Sequence, residues 1–393
     1  MSDRRLKDWL SSYLDFTENS EPPTLFKKWV GVSAIASCLQ RKCYMEWEDS
    51  IYPNMYIVII GPSGCRKGTA MGPALRMLQD LGMPLAAEAT TREALIQTLA
   101  KVTSSFTNPE TNETDMHSSL TIFSAELTVF IGYDNKQLIS DLTDWFDCRN
   151  RWTYRTKSSG TDDIWGVWVN LIGATTPEML QNTLPRDAVG GGLTSRMVFV
   201  YGDKKSKIVP YPIINPEHAQ LRKDLVADLE AIHALRGKFV ATQGYIDAYI
   251  EWYLGHCETP VLEDINFRPY LERRPTHLRK LTMIMSASRS SELILTLEDF
   301  QNALKLLKET EAAMPNVFRG YGSLDDAELF PRLMAAIAKK KRCTIGDLMK
   351  LFYRDLTIDT MKERLEALRA IGYIKMTVGA TTVLIEYIGE QGE

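Results

Sequence analysis

Residues 61–70, GPSGCRKGTA, hold the pattern with the most definite chemistry. They fit a G-x-x-x-x-x-K-G-T frame that follows an unbroken apolar run and precedes a helix-compatible stretch. Consecutive backbone N–H groups can converge on phosphate oxygens, small residues allow the close approach, and the following helix adds its positive end. The pattern therefore predicts a triphosphate-binding loop, with Lys67 at the β- and γ-phosphates and the Thr69 hydroxyl on Mg²⁺. The expected nucleotide contacts are Gly61, Pro62, Ser63, Gly64, Cys65, Arg66, Lys67, Gly68, Thr69 and Ala70.

One position departs from the usual phosphate-loop pattern. A glycine ordinarily precedes the lysine, and Arg66 stands there in this chain. If the position needs a positive φ, an arginine is strained in it; if it does not, the guanidinium can supply an extra phosphate contact. A chance glycine-rich turn between a strand and a helix is the alternative interpretation of the whole stretch.

A candidate catalytic carboxylate follows the strand predicted at Leu120–Phe123. Glu126 stands just past its end, at the edge where the carboxyl ends of parallel strands face a nucleotide. A glutamate there can polarise the water that attacks the γ-phosphate. The aspartate that usually precedes it is missing, because Ser124 and Ala125 occupy the stretch. Mg²⁺ would then depend on Thr69, phosphate oxygens, water and Ser124, and an ordinary solvated glutamate is the other interpretation of Glu126.

Three further candidates lie at the ends of predicted strands. Thr175 and Thr176 terminate the apolar run Val167–Ala174, where a polar side chain can sense the γ-phosphate and position water. Arg196 follows the glycine run 190–192 and precedes a buried strand. An arginine in that place can reach the nucleotide of a neighbouring subunit. A surface arginine in a salt bridge is the alternative.

The stretch RWTYRTKSSGTDDIWG, residues 151–166, contains two β-rich runs around a Lys-Ser-Ser-Gly turn and predicts a hairpin. Its first arm interleaves cations with aromatic residues, a composition that suits contact with a phosphate backbone. Asp162 and Asp163 lie across the turn and could neutralise much of this charge. A solvated hairpin face is therefore an equal alternative. The cations proposed to contact DNA are Arg151, Arg155 and Lys157, with Arg149 just before them.

The elements that must position these residues are apolar strands alternating with helical stretches, beginning at Tyr56–Ile60. This alternation predicts an α/β fold with a central parallel sheet. The polar stretch Thr103–Ser119 is expected to be a surface loop. A break rich in lysine and proline near residues 203–217 separates the core from a helical region, whose Arg273, Arg274, Arg279 and Lys280 could contact nucleotide or DNA.

The C-terminal part predicts a separate domain. Helices at Ala327–Ala338, Thr344–Phe352 and Thr357–Ile371 precede two short strands around Gly379, which is the order of a winged helix-turn-helix. Basic and acidic residues nearly balance there, so docking to DNA and docking to protein both remain open. The expected domains are an N-terminal helical extension (1–54), the phosphate-loop core (55–210), a helical lid-like domain (211–316) and the winged helix (324–393).

Composition limits the classes of function. The 393 residues are 45% hydrophobic and 24% charged, as in an ordinary folded protein. The longest apolar runs are strand-sized and the N-terminus lacks the apolar core of a signal peptide, so we expect a cytoplasmic protein without a membrane partner. A net charge of −4 means that any DNA contact must come from a local patch.

With these motifs in place, the chain resembles the P-loop ATPases of phage and mobile-element replication modules, which are primase-helicase-like and related to AAA+ replicative helicases. The resemblance rests on YPNMYIVIIGPSGCRKGT, SAEL, LIGATTPEML and GGGLTSR, and then on LERRPTHLRKL. It implies a P-loop NTPase core of AAA+/RecA-like type, a ring of identical subunits, and ATP with Mg²⁺ on Lys67 and Thr69. It further implies that Glu126 activates water, that Thr175 or Thr176 is a sensor and that Arg196 acts in trans.

The leading hypothesis is an oligomeric ATPase that moves along or remodels single-stranded or forked DNA in phage or mobile-element replication, as a helicase in the bacterial host cytoplasm. Other replication proteins are possible partners. A second hypothesis is a nucleotide-switched initiator or helicase loader that binds DNA without unwinding it. A third is a small-molecule phosphotransferase, because K-G-T also occurs in nucleoside monophosphate kinases, although no acceptor-binding lid is evident.

Overall fold

The structure is a computed structural model that describes residues 4–132, 135–156, 160–183, 192–211, 216–258, 267–317, 324–352, 358–378 and 383–389. The chain divides into two compact units, Met1–Phe318 and Arg319–Glu393. The fold class is α/β, with a mixed sheet made largely of parallel strands and with many helices.

The first unit alternates strands and helices along most of its length. Its strands are β1 (Cys43–Glu46), β2 (Ser50–Ile51), β3 (Tyr56–Ile60), β4 (Thr103–Thr107), β5 (Thr114–Ser124), β6 (Arg151–Thr156), β7 (Gly160–Trp165), β8 (Val167–Thr175), β9 (Met197–Tyr201), β10 (Gly237–Lys238), β11 (Val240–Ala241) and β12 (Ile294–Leu295). Its helices are α1 (Trp9–Phe16), α2 (Thr24–Leu39), α3 (Lys67–Asp80), α4 (Arg92–Lys101), α5 (Leu127–Ile131), α6 (Lys136–Trp145), α7 (Pro177–Thr183), α8 (Pro216–His233), α9 (Gln243–Glu258), α10 (Arg268–Arg289) and α11 (Leu297–Ala313).

The central sheet has the strand order β4-β5-β8-β3-β9. The strands β5, β8, β3 and β9 are parallel to one another, as predicted, whereas β4 is antiparallel to β5 at the edge. Every residue of β3 and of β8 is buried. Continuous apolar runs of this kind are what a parallel sheet requires when helices cover it. Helix α2 packs against β3, β8 and β9, while α5 and α6 pack against β8.

The surface loop predicted at Thr103–Ser119 is confirmed only for residues 108–113, and it is wrong on either side of them. Residues 103–107 form β4, which pairs with the first half of β5 from Thr103↔Ser118 to Thr107↔Thr114. Only Phe106 of β4 is buried, because the strand lies at the sheet edge and most of its side chains face solvent. The serine and threonine content of these residues favours a loop. They form a strand because the edge of β5 offers unpaired backbone groups with which they hydrogen-bond.

The predicted hairpin is confirmed by the antiparallel pairing of β6 and β7, which runs from Arg151↔Trp165 to Thr156↔Gly160. Its aromatic residues hold it against neighbouring helices. Trp152 meets Trp145 of α6 edge-on, with ring centroids 5.4 Å apart. The Arg92 guanidinium of α4 lies 4.8 Å from the centroid of the Tyr154 ring.

The described residues of the second unit form three helices and a small antiparallel sheet. The elements are α12 (Leu324–Lys340), β13 (Arg342–Thr344), α13 (Ile345–Phe352), α14 (Ile358–Ala370), β14 (Ile374–Val378) and β15 (Val383–Tyr387). The strands are ordered β13-β15-β14 around a separate apolar core that includes Leu348, Leu365 and Ile385. Thr344 and Asp347 bond reciprocally at the start of α13, so Thr344 caps this helix.

Across the described ranges of both units, none of the helices combines the length and the apolarity that crossing a lipid bilayer demands.

Candidate functional site

The residues predicted to bind and cleave the nucleotide, with the exception of Arg196, lie at one edge of the central sheet. Parallel strands end on the same side, and β5, β8, β3 and β9 end at Ser124, Thr175, Ile60 and Tyr201. The register pairs Ile60 with both Thr175 and Tyr201, and it pairs Ser124 with Gly173. The loop after β3 is therefore flanked by the ends of β8 and β9, and the end of β5 lies one strand further along.

The loop begins at a position where only glycine fits. A Cβ on Gly61 would lie 2.2 Å from the Gly202 carbonyl oxygen and 2.7 Å from the Cys65 Sγ. Gly64 has a φ of +87°, in the region that favours glycine. The two glycines thus serve different needs, since the first permits close packing against the end of β9 and the second permits the turn.

Most backbone N–H groups of this loop have no hydrogen-bond partner in the described part of the chain. Within the loop, Cys65 donates to the Pro62 carbonyl at 3.4 Å and Ala70 donates to the Arg66 carbonyl at 3.0 Å. Helix α3 has no side-chain cap. The open donors sit at a helix N-terminus, where the helix dipole also favours an anion. The residues whose N–H groups are open are Ser63, Gly64, Arg66, Gly68 and Thr69.

The Lys67 side chain folds back onto the loop that precedes it. Its Nζ donates to the Gly61 carbonyl oxygen at 2.7 Å and to the Pro62 carbonyl oxygen at 3.1 Å. Neither partner is a carboxylate, so both bonds can be exchanged for bonds to an anionic ligand without separating an ion pair. Gly68 and Thr69 are exposed on the first turn of α3.

Arg66 is strained and its side chain points to a carboxylate. It has φ 64° and ψ 34°, the left-handed conformation, as the first residue before α3. A non-glycine residue in this conformation costs roughly 1 kcal/mol. The guanidinium donates through Nε to Oε2 of Glu21 at 2.8 Å. Glu21 is a site residue that the sequence analysis missed, and no local sequence signal identifies it.

The two threonines predicted as sensors adjoin the loop but differ in exposure. The Thr175 carbonyl accepts from the Gly61 N–H at 3.4 Å, and its side chain is 1% exposed. Thr176 is half-buried, and its Oγ1 accepts from the Met179 N–H at the start of α7. Thr176 is therefore the threonine whose side chain is nearer solvent.

Glu126 is exposed at the position before α5 and its side chain does not cap that helix. Helix α5 lies directly against β8, because a Cβ on Gly173 would meet Leu127 Cδ1 at 2.7 Å. This contact brings Glu126 beside the end of the strand that flanks the loop. Among the described residues, no group of three or more His, Cys, Asp or Glu side chains could hold a metal ion.

Arg196 lies at the opposite edge of the sheet from Lys67. It precedes β9, whose first residue Met197 pairs with Tyr56 at the start of β3. The length of β3 separates it from the loop of its own chain, on the order of 16 Å. Its side chain is largely buried and donates to the Gly192 carbonyl at 2.8 Å and to Asp147.

The cations predicted to contact DNA on the hairpin are partly neutralised. Arg151 pairs with Asp163 at 2.9 Å and lies 4.8 Å over the Trp165 ring. Arg149, just before the hairpin, pairs with Asp144. Arg155 is exposed on the same face as Arg151, and Lys157 lies outside the described residues.

Of the four α10 cations proposed to contact nucleotide or DNA, Arg274, Arg279 and Lys280 are buried in the fold, whereas Arg273 is partly exposed. Arg274 and Glu311 form a buried two-bond ion pair, with side chains 1% and 0% exposed. Lys280 donates to the Tyr52 carbonyl at 2.9 Å and to Asn54, and burial lowers its pKa to about 8. Arg279 stacks 4.2 Å over the Trp47 ring, and Arg273 bonds Asp147 at 3.2 Å.

Comparison of the chain with protein-family models gives no match, and comparison with curated proteins gives none either.

Proposed function

We propose that this protein is an oligomeric P-loop ATPase that acts on DNA in phage or mobile-element replication, as a helicase. The observation that carries the proposal is the group of open N–H donors between Ser63 and Thr69, next to Lys67, at the carboxyl edge of a parallel sheet. A triphosphate is the ligand whose charge and length suit several converging amides and one mobile ammonium group.

The residues present fit ATP and Mg²⁺. The loop amides and Lys67 would hold the phosphates, while the exposed Thr69 hydroxyl would hold the metal, which supplies charge neutralisation when it is bound. Glu126 is free of a capping role and can accept a proton from water. To reach the nucleotide of a neighbouring subunit, Arg196 would have to break its ion pair with Asp147. Breaking that pair would cost free energy.

The second unit supports a winged helix as part of the proposal. Its order of helix, strand, two helices and two strands, with an antiparallel three-stranded sheet, is that of a winged helix-turn-helix. Such a domain would dock the motor onto DNA or onto another replication protein. The charges of α14 partly pair with one another, as Lys362 does with Asp359 and Arg369 with Glu366.

The alternative function, a nucleotide-switched initiator or helicase loader, is favoured by one observation. Arg151 of the hairpin is already paired with Asp163, which reduces the charge available to grip a strand during movement. A loader needs only the nucleotide site and an assembly surface, whereas a translocating helicase needs repeated contact with the phosphate backbone.

The first test is binding of a fluorescent ATP analogue to the full chain and to the Lys67→Ala variant. We expect the variant to lose roughly 100-fold in DNA-stimulated phosphate release and most of its affinity. The matched control is Lys204→Ala, which removes an exposed lysine close to the same edge and should change neither quantity. A DNA-stimulated ATPase rate that survives Lys67→Ala contradicts the proposal.

The second test distinguishes the helicase from the loader. A forked DNA duplex with one labelled strand is incubated with the protein, ATP and Mg²⁺. Strand release that depends on Lys67 supports the helicase. ATP hydrolysis and DNA binding without strand release support the loader.

A further inference from the structure

Glu21 connects the N-terminal segment to the residue that precedes Lys67. Its Oε2 accepts from Arg66 Nε at 2.8 Å, and the Lys205 Nζ bonds both carboxylate oxygens at 3.0 and 2.9 Å. Glu21 lies between α1 and α2, and Lys205 lies just after β9. One carboxylate therefore joins the phosphate loop to two segments that are distant in sequence.

The Glu21 carboxylate is itself held firmly in place. The Glu21 carbonyl accepts from the Ser206 N–H at 3.0 Å, and the Ser206 hydroxyl donates to the Pro22 carbonyl at 2.8 Å. The Glu21 side chain is 15% exposed, whereas the Arg66 side chain is 53% exposed. Hydrogen bonds from Lys205 and from Arg66 lower the pKa of Glu21, so the carboxylate stays ionised.

Arg66 needs such a partner because of its backbone conformation. The φ and ψ of Arg66 set the orientation of the peptide between Arg66 and Lys67, at the point where the loop enters α3. Glycine adopts this conformation freely, but an arginine that loses its anchor is drawn towards the right-handed or extended regions. That change would rotate the peptide between Arg66 and Lys67 and alter the way the loop enters α3.

We propose that Glu21 is a positioning residue for the phosphate loop, whose ion pair with Arg66 holds that residue in the left-handed conformation required for binding triphosphate. This inference rests on the proposed function, because it concerns the same loop. It explains how the chain tolerates arginine at a position where glycine is usual. Glu21 acts through Arg66 and need not touch the nucleotide.

The test is a double-mutant cycle with Glu21→Ala and Arg66→Gly, read as the affinity for a fluorescent ATP analogue in the full chain. We expect Glu21→Ala to weaken binding about fivefold when Arg66 is present. In the Arg66→Gly background, the same change should weaken binding less than about twofold, because glycine needs no anchor. Rescue by the second substitution is a result that a merely structural role of Glu21 would not give.

The matched control is Lys207→Met. Lys207 bonds Glu18 and Asn19, so it joins the same two segments without touching Arg66. Its loss should leave the affinity unchanged. An equal weakening by Glu21→Ala in both backgrounds would show that Glu21 acts through Lys205, and would overturn the proposal. Unchanged or tighter binding in the Arg66 background would overturn it too.

A second readout separates this inference from the proposed function. The same four proteins are unfolded with urea in the absence of nucleotide, and the coupling between the two positions is measured. If the wild-type chain binds no ATP analogue, the proposed function fails. The inference about Glu21 then depends on the unfolding cycle alone: additive effects overturn it, and a loss confined to the Arg66 background supports it.

Discussion

The two ends of the central sheet differ in whether their cations and polar groups are buried and already bonded. At the carboxyl end, Lys67 bonds two loop carbonyls, several neighbouring amides have no partner among the residues that the structure describes, and Glu126 is exposed. At the amino end, Lys280 reaches the carbonyl of Tyr52 before β3, Arg41 reaches the carbonyl of Val167 at β8, and Arg196 is bound before β9. Those three cations are at most 8% exposed.

This contrast indicates that a ligand is to be sought at the carboxyl end of the sheet. Buried cations whose donors are already bonded to chain carbonyls or carboxylates stabilise the fold, and a ligand would have to replace those bonds. Open donors at an exposed edge contribute nothing to stability and remain available for an anion. The same contrast sets the expected effects of mutation: changes in the interior act on folding, and changes at the open edge act on activity.

The largest expected effect belongs to the buried pair of Arg274 and Glu311. The Glu311→Ala substitution leaves a guanidinium buried without its carboxylate, and we expect the free energy of unfolding to fall by about 3–5 kcal/mol. Urea unfolding measures this loss. Glu309→Ala, on the same helix but in a partly exposed pair with Lys28, should cost about 1 kcal/mol or less.

The double replacement Arg274→Met with Glu311→Leu should recover much of that loss, since no buried charge remains. If Glu311→Ala were as mild as Glu309→Ala, the assignment of Arg274 to the fold rather than to a binding surface would be wrong.

At the open edge, Glu126→Gln should lower the rate of phosphate release by roughly 100-fold, because the amide cannot accept a proton from water. Affinity for the fluorescent ATP analogue should change little, and urea unfolding should give the wild-type midpoint, because the side chain is exposed. Single-turnover phosphate release measures the chemical step. A weaker affinity with an unchanged rate would assign Glu126 to binding instead.

The smallest expected effect is a loss of stability at low pH that is caused by two buried histidines. Burial lowers the pKa of both His117 and His277 to about 4. Cations near His277, including Lys280 and Arg273, oppose its protonation further. Below the unfolded pKa of about 6.5, the unfolded chain gains a proton at each histidine that the folded chain does not, so stability falls with pH. Between about pH 7 and about pH 5 the loss should be about 2 kcal/mol per histidine.

Urea unfolding of the wild-type chain and of His277→Asn at the two pH values measures this dependence. The variant should be less stable near neutral pH, yet its stability should fall less on acidification. An equal fall in both proteins would show that His277 does not contribute to the pH dependence.

Much of the fold follows from local sequence signals. The buried runs of β3 and β8 predicted parallel strands, and the turn between the arms of residues 151–166 predicted the hairpin, because hydrophobic periodicity and turn residues act over a few positions. Residues 103–107 show where this fails. Their polar composition suits a loop, and only the free edge of β5 makes them a strand.

The glycine-bearing loop between β3 and α3 could be predicted from the sequence, because its glycines, Lys67 and Thr69 lie within nine residues and the backbone conformation there is local. Which charged side chains remain available for a ligand depends on contacts that form in the folded chain. Arg66 meets Glu21 across 45 positions, and Arg196 meets Asp147 across 49. Ion pairing and burial depend on neighbours in space, and no spacing along the chain reveals which carboxylate an arginine will bind.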